Sequence, residues 1–599
     1  MEVKNRDQIE EKYQWNLASI FPSDEAFLNA LEEAKAYPAK CAAYQGKVSQ
    51  SPQELLSFLR LDDEVSVALS RLVNYAQCKS DEDTRISKYQ DFSSQAMSLS
   101  VAVSSAQAWF TPELLSMDQE TMEEFYARCP ELELYRRSLD RIFRRKEHTL
   151  SPSEEALLAS AGEMANQPDN IYSKFSDADL TFADAVDSQG EAHPVTHGTF
   201  VPLLYSQDRA LRKSAFQSCY AGYGQFRNTC AATLNAQTKQ LKFFADARKY
   251  PTTLAAALDA TEVPVEVYTN LIEAVHRNLP AMHKYTALRR RLLGLDELHF
   301  YDLYVPMVGD VDMHFTYEEA CELILKALEP LGEEYCAAVR RGLEQRWIDV
   351  YENPGKRSGA YSVGSHSSSM HPFILLNFQG TLNDVFTLIH EMGHSMHTYL
   401  SCANQPTCYS YYVIFVAEVA STCNEALLMQ YLLKTTTDKR QRAYLINYFL
   451  EQFRTTLYRQ TMFAEFELAV NQMTERGEGL TADALCEKYR QLNADYFGPD
   501  IVVDDEISLE WARIPHFYYN YYVYQYSTGY AAAIALSQKI LQEGQSAVER
   551  YLGFLKGGSS QPPIDLLRGA GVDMATAQPI DDALKLFDSL IDEMDELAR

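Results

Sequence analysis

A mainly α-helical fold with a small β-sheet is expected from three observations: helical periodicity recurs along most of the 599 residues, strand-like runs are few and short, and no internal repeat or low-complexity tract interrupts the pattern. A chain of this length outgrows a single hydrophobic core, so two or more domains are expected. Between Pro52 and Lys146 apolar residues fall three and four apart, as in Leu55, Leu56, Phe58 and Leu59, then Val65, Ala68, Leu69, Leu72 and Val73. Turn clusters at Ser80–Asp83 and Ser151–Ser153 divide these helices into antiparallel hairpins. Near-alternation over Leu180–Val186, the Asp187–Gly190 turn cluster and Pro194–Phe200 predict a β-hairpin. The hairpin marks a boundary, giving a helical domain over 1–195 and a second domain over 196–599. Helix returns from Asp208 to about Leu343, with Pro251, Pro264 and Pro280 near helix starts, where a missing N–H costs least. Short strands are expected in Gly359–Gly364 and Pro372–Phe378, and the C-terminal third reads as helix again.

Composition narrows the function. Eighty-three acidic against 54 basic side chains leave a net charge of −29, a surface that repels phosphate backbones and anionic headgroups. Nucleic-acid and membrane partners are therefore not expected. The opening residues Met1–Asp7 are charged, no apolar signal region follows, and no stretch approaches roughly 18 consecutive apolar residues, so a cytosolic protein is expected. Eleven cysteines without a C-x-x-C pair read as reduced, packed thiols, Cys423 included.

The chemistry concentrates in His390-Glu391-Met392-Gly393-His394. Thr381 is placed to cap a helix there, with Asp384 answering it in a capping box. Leu382, Val385, Phe386, Ile389 and Met396 form an apolar stripe, and His390 and His394, four residues apart, stack on an adjoining face. Hydrolytic zinc takes three protein ligands and keeps a position for water, and two imidazoles at this spacing supply two of the three. Glu391 beside them is the expected general base. Position 400 is Leu, so a third histidine six residues on is excluded. His397 would strain a tetrahedral sphere and is expected to pack or to support the site.

The third ligand must come from elsewhere. The mostly apolar run Tyr412–Leu428 reads as a helix with Glu418 and Glu425 seven apart on one face. A carboxylate in such surroundings needs a partner. Zinc would satisfy one, and a hydrogen bond to a ligating imidazole the other. Spacing alone leaves open which glutamate does which.

These residues resemble oligoendopeptidase F, of the thimet oligopeptidase-like zinc peptidases. The likeness rests on Leu376–Leu388 leading into H-E-M-G-H-S-M-H, on Phe415–Thr422, on the tyrosine-rich C-terminal segment and on the opening Tyr13–Phe21. It implies that Glu418 is the third zinc ligand, with Glu425 in support, and that one zinc ion is held. It also implies a mostly helical, two-lobed fold enclosing a deep channel that admits short peptides and excludes folded proteins. The domain over 196–599 is then the zinc peptidase catalytic domain.

Between His516 and Tyr526, seven of eleven residues are His or Tyr. Amide hydrolysis builds negative charge on the carbonyl oxygen, which a phenol or imidazole can stabilise beside zinc. In the thimet-like relatives a histidine precedes a Y-Y-x-Y cluster; Tyr521-Tyr522-Val523-Tyr524 matches it, which implies His516, Tyr521 and Tyr524 as catalytic partners of Glu391. The intervening loop is shorter here. Pro372–Leu376 could pair with an extended peptide through its backbone. His366 and His371 lie on that approach and read equally well as ordinary loop residues. The expected activity is a zinc-dependent endopeptidase on oligopeptides. The rivals are a silent peptide-binding protein, which Glu391 argues against, and a zinc hydrolase of non-peptide amides.

Overall fold

Helix starts carry the side chains that their free N–H groups need. Ser23, Ser51, Asp118, Thr252, Thr316 and Thr481 each accept a backbone N–H in the first turn of the helix they precede. The structure is a computed structural model that describes residues 3–309, 311, 313–364 and 367–599, and it is mostly helical. None of its helices is long and apolar enough to cross a membrane.

The chain forms two compact units, each assembled from separated segments: Met1–Thr149, Met313–Tyr431 and Leu536–Gly571 in the first, and Leu150–Asp312, Leu432–Ala535 and Val572–Arg599 in the second. The linear division expected at 195/196 does not follow this partition, because helices distant in sequence share each core. The hairpin expected at that boundary lies inside the second unit and is shorter than its sequence pattern. Only Ala185–Val186 and Ala192–His193 pair, antiparallel, with Asp187 Oδ1 accepting the amides of Gln189 and Glu191 across the turn. Pro194–Phe200 does not continue it: Thr196 caps the helix His197–Leu204 instead.

In the first unit, the helices Asp24–Ala34, Pro52–Glu82 and Ser87–Gln107 enclose a core that includes Trp15, Phe27, Phe58, Tyr75 and Phe92. The expected hairpin turn falls where the second of these ends, after Glu82. A three-stranded sheet adjoins them. Phe373–Leu375 is its middle strand, parallel to Ile348–Asp349 and antiparallel to Tyr361–Val363, with Ile374 opposite both Ile348 and Ser362. Both edges of Phe373–Leu375 are thus occupied, so the peptide-pairing expected of Pro372–Leu376 is not available to it. Tyr361–Val363 is an outer strand of the sheet. Asp349 anchors the sheet to the chain's opening segment: its buried carboxylate meets Arg6 Nη2 at 2.6 Å and Lys356 Nζ at 2.8 Å, and the neighbouring Val350 donates its amide to Tyr13 O.

The second unit packs long helices, among them Arg209–Gln225, Arg227–Ala247, Val265–Arg277, Arg459–Glu475 and Ala482–Phe497. Charges buried there are paired, as buried charge requires: Glu510 accepts from Arg459 at 2.6 Å, Arg513 at 3.0 Å and Tyr489 at 2.6 Å.

The motif helix runs Leu382–Asn404 with the expected capping box, Thr381 Oγ1 accepting Asp384 N–H and Asp384 Oδ2 accepting Thr381 N–H. Leu382, Val385, Phe386, Ile389 and Met396 are all buried. A companion helix spans Ile414–Thr435. The two touch at Gly393, where a Cβ would stand 2.5 Å from Ser421 Cα and 2.8 Å from Ala420 O. Those atoms are helix backbone and cannot step aside, so Gly393→Ala is expected to cost about 1–3 kcal/mol of stability and to weaken metal retention. Gly553, in an exposed helical position with open space around it, is the control: Gly553→Ala should gain about 0.5–1 kcal/mol from helix propensity alone. Denaturant melts of both variants make the comparison.

Candidate metal centre

One helical turn places His390 and His394 with ring centroids 4.8 Å apart and planes at 83°. Their Nε2 atoms are 3.2 Å apart, and Glu418 Oε2 from the companion helix lies 3.4 Å from one and 3.5 Å from the other. Three donors bound to one tetrahedral zinc at about 2.0–2.1 Å would be about 3.3–3.4 Å from each other. The triangle therefore fits that ion. Among the described residues it is the one group of His, Cys, Asp or Glu in such an arrangement.

Two turns beyond Glu418, Glu425 Oε1 accepts from His390 Nδ1 at 2.5 Å. Holding the proton on Nδ1 leaves the Nε2 lone pair facing the triangle, and a carboxylate behind a ligating imidazole raises its basicity. Ser421 Oγ donates to Glu418 Oε2 at 3.2 Å. Asn424 Nδ2 donates to Ile389 O at 3.3 Å, and Asn424 Oδ1 accepts from Tyr335 Oη at 3.0 Å, tying the companion helix to the motif helix and to Gly332–Glu344. Sequence reading passed over Ser421, Asn424, Tyr335 and Gly393. The available signal was two polar side chains, Ser421 and Asn424, between Glu418 and Glu425 in a mostly apolar helical run.

Charge is balanced within the cluster. Burial disfavours a charged His390, but Glu418 and Glu425 outweigh it and raise its pKa well above the ordinary imidazole value. Burial likewise works against an ionised Glu418, yet His390 and His394 hold its carboxyl well below the usual carboxylate range. Glu391 is buried, which raises its pKa against the pull of the same two imidazoles. That direction suits a group that must take up a proton near neutrality.

Two further histidines of this unit, His397 and His371, pack against aromatic rings. His397 is buried, stacked on Tyr412 at 3.7 Å, and burial pushes its pKa down to about 3, so it stays neutral. His371 stacks on Trp347 at 4.7 Å and meets Ser19 Oγ at 3.2 Å. His366 lies outside the described residues. Cys423 is fully buried, its thiol pushed up to about 12 by burial, which favours the packed, neutral thiol.

His516, Tyr521 and Tyr524 belong to the second unit. His516 is half-buried, and burial lowers its pKa, which keeps the imidazole neutral. Tyr521 and Tyr524, expected to face substrate, turn inward: both rings are buried against Tyr268, and Tyr521 Oη meets Thr253 Oγ1 at 2.8 Å. The phenols with access to solvent around His516 are those of Tyr519, Tyr522 and Tyr526, with ring centroids 5.4, 6.4 and 6.0 Å from the imidazole. Of these accessible phenols Tyr522 lies inside the Y-Y-x-Y match and Tyr519 and Tyr526 flank it, a distinction that composition does not carry.

Because protons and metal compete for the same imidazole and carboxylate atoms, zinc affinity is expected to fall as pH drops from 8 to 5, with protons released on binding. Glu425→Gln should weaken zinc about 10–100-fold while leaving the three donors in place. Chelator competition at several pH values reads both effects, and unchanged affinity in Glu425→Gln would remove Glu425 from the site.

The peptidase family M3 model matches residues 202–586, and the oligopeptidase F model matches residues 113–182. The chain is 47% identical to oligopeptidase PepF of Bacillus subtilis, covering 100% of this chain and 89% of that protein. It is 39% identical to an oligoendopeptidase F homolog of Lactococcus lactis subsp. lactis, covering 99% of each. Among solved structures, a peptidase from Chlamydophila abortus superposes with a TM-score of 0.93 at 36% identity over 100% of both chains. Oligoendopeptidase-F from Enterococcus faecium superposes with a TM-score of 0.74 at 37% identity over 96% of this chain and 99% of that one. Helical fold, ligand triangle and full-length similarity agree, and the chain belongs to peptidase family M3 as a metallopeptidase of the oligoendopeptidase F group.

Proposed function

We propose that this metallopeptidase holds one zinc ion through His390, His394 and Glu418 and hydrolyses internal bonds of short oligopeptides, with Glu391 as general base. The observation that carries the reading is the triangle of two Nε2 atoms and one carboxylate oxygen, 3.2 to 3.5 Å on a side, beside a buried glutamate. When bound there, zinc supplies Lewis acidity, polarising the scissile carbonyl and acidifying water. The chain's own residues do the rest. Glu391 takes the proton of the attacking water at its carboxylate and returns it to the departing amine nitrogen. Its raised pKa keeps the proton available for that second transfer. Glu425 fixes the orientation of His390. The outer strand Tyr361–Val363 offers backbone groups to an extended peptide, which suits an enzyme that accepts many sequences.

His516 donates to the oxyanion from a neutral imidazole, together with a phenol. Tyr521 and Tyr524 contribute by shaping the segment from within, and Tyr519, Tyr522 and Tyr526 supply the accessible hydroxyls. The names of the relatives, oligopeptidase and oligoendopeptidase, support a preference for short peptides.

A quenched fluorescent oligopeptide set tests the reading. Chelator should abolish cleavage and added zinc restore it, and Glu391→Gln should lower kcat by about 10²–10⁴-fold with zinc retained. Undiminished cleavage by Glu391→Gln would overturn the mechanism. Equal cleavage of long unfolded proteins and short peptides would overturn the size preference.

A further inference from the structure

In the second unit, the segment carrying His516 reverses at Asn520 and Tyr521, with φ of 56° and 57°. Among the described residues they are the only consecutive non-glycine pair in the left-handed region. Side chains disfavour that conformation, so a turn of two such residues persists only where its surroundings hold it. Glu467, on the helix Arg459–Glu475, does so: its Oε1 accepts the Tyr521 N–H at 2.6 Å from a side chain that is 1% exposed. Gln237 adds donations to Tyr518 O at 3.1 Å and to Asn520 Oδ1 at 2.8 Å. With the turn held, Tyr521 points into the core, and His516, Tyr519 and Tyr522 lie on its accessible side.

We propose that Glu467 is a positioning residue for the peptidase reaction: by clamping the Tyr521 amide it maintains the left-handed turn that presents His516 and Tyr522 to substrate. The inference rests on the reading that His516 acts on the substrate carbonyl.

The buried carboxyl makes the stability of this region pH-sensitive. Glu467 Oε2 is buried with no hydrogen-bond partner among the described residues. The titratable groups facing the carboxyl are the phenols of Tyr268 and Tyr521. Tyr524 and Tyr496 lie around Tyr268, and Glu475 faces Tyr521. All of these are neutral or acidic, so none neutralises a carboxylate. Burial pushes the Glu467 pKa up to about 8, against the opposing Tyr521 amide. Its folded-state value lies above the ordinary one, so the stability it contributes is complete below the ordinary carboxylate range and is lost as the pH rises through about 8. Ionised, Glu467 holds the Tyr521 amide more strongly, while its buried Oε2 bears the cost of desolvation.

The test uses the full-length zinc enzyme and a quenched fluorescent oligopeptide, with kcat and KM measured from pH 6 to 9.5 alongside zinc content and melting temperature. Glu467→Leu should lower kcat about tenfold or more with zinc retained and KM little changed, since small misplacements of catalytic groups are costly. Glu467→Gln, which keeps an acceptor for the amide, should recover most of that kcat and lessen the fall in melting temperature above pH 8. His516→Ala separates the two levels. If it leaves kcat intact, the reading of His516 fails; if it lowers kcat while Glu467→Leu does not, Glu467 alone is overturned. Should Glu467→Leu not fold, Glu467→Ser, too short to reach the amide, takes its place, and wild-type kcat in that variant overturns the clamp.

Discussion

The metal centre depends on one close approach of two helices, at Gly393. Any side chain there would meet the backbone of Ala420 and Ser421, so only glycine lets the companion helix lie directly on the motif helix. That contact sets the height at which Glu418 and, two turns on, Glu425 arrive beside His394 and His390. Asn424, between them, locks the register by bonding the backbone of Ile389 and the hydroxyl of Tyr335. The same helix pair thus fixes three donor atoms to within a few tenths of an ångström of a tetrahedral edge.

Such a cluster is costly to bury, and the surrounding groups offset that cost in pairs. Each imidazole faces a carboxylate, and each carboxylate faces an imidazole or a hydroxyl. The consequence is functional as well as energetic: Glu418 is held as the carboxylate that a cation can use, His390 holds a proton that a cation must displace, and Glu391, buried, is shifted toward proton uptake. His397 shows the contrast. One turn further along the same helix, packed on Tyr412 and Phe554, an imidazole becomes a neutral filler.

The aromatic segment of the second unit obeys a different constraint. Its backbone turns through two left-handed residues, and the interior takes Tyr521 and Tyr524 while the surface keeps His516, Tyr519, Tyr522 and Tyr526. Hydrogen bonds from helices far away in sequence, through Gln237, Thr253 and Glu467, decide which face is which.

The helices, their caps and the two-histidine motif were legible in the sequence because they rest on local rules: 3.6-residue periodicity, a Thr followed three residues later by Asp, and ligands one turn apart. The spacing of Glu418 and Glu425 was legible too, though only family resemblance pointed to Glu418 as the expected ligand. Tertiary structure decided what depends on long-range contact. It put Phe373–Leu375 in the middle of its sheet, since strand order needs the distant partner Ile348–Asp349. It assembled each unit from separated segments where a linear boundary was expected. It also turned Tyr521 and Tyr524 inward, because a left-handed turn breaks the alternation from which side-chain direction is read, and the carboxylate that sustains it lies 54 residues upstream.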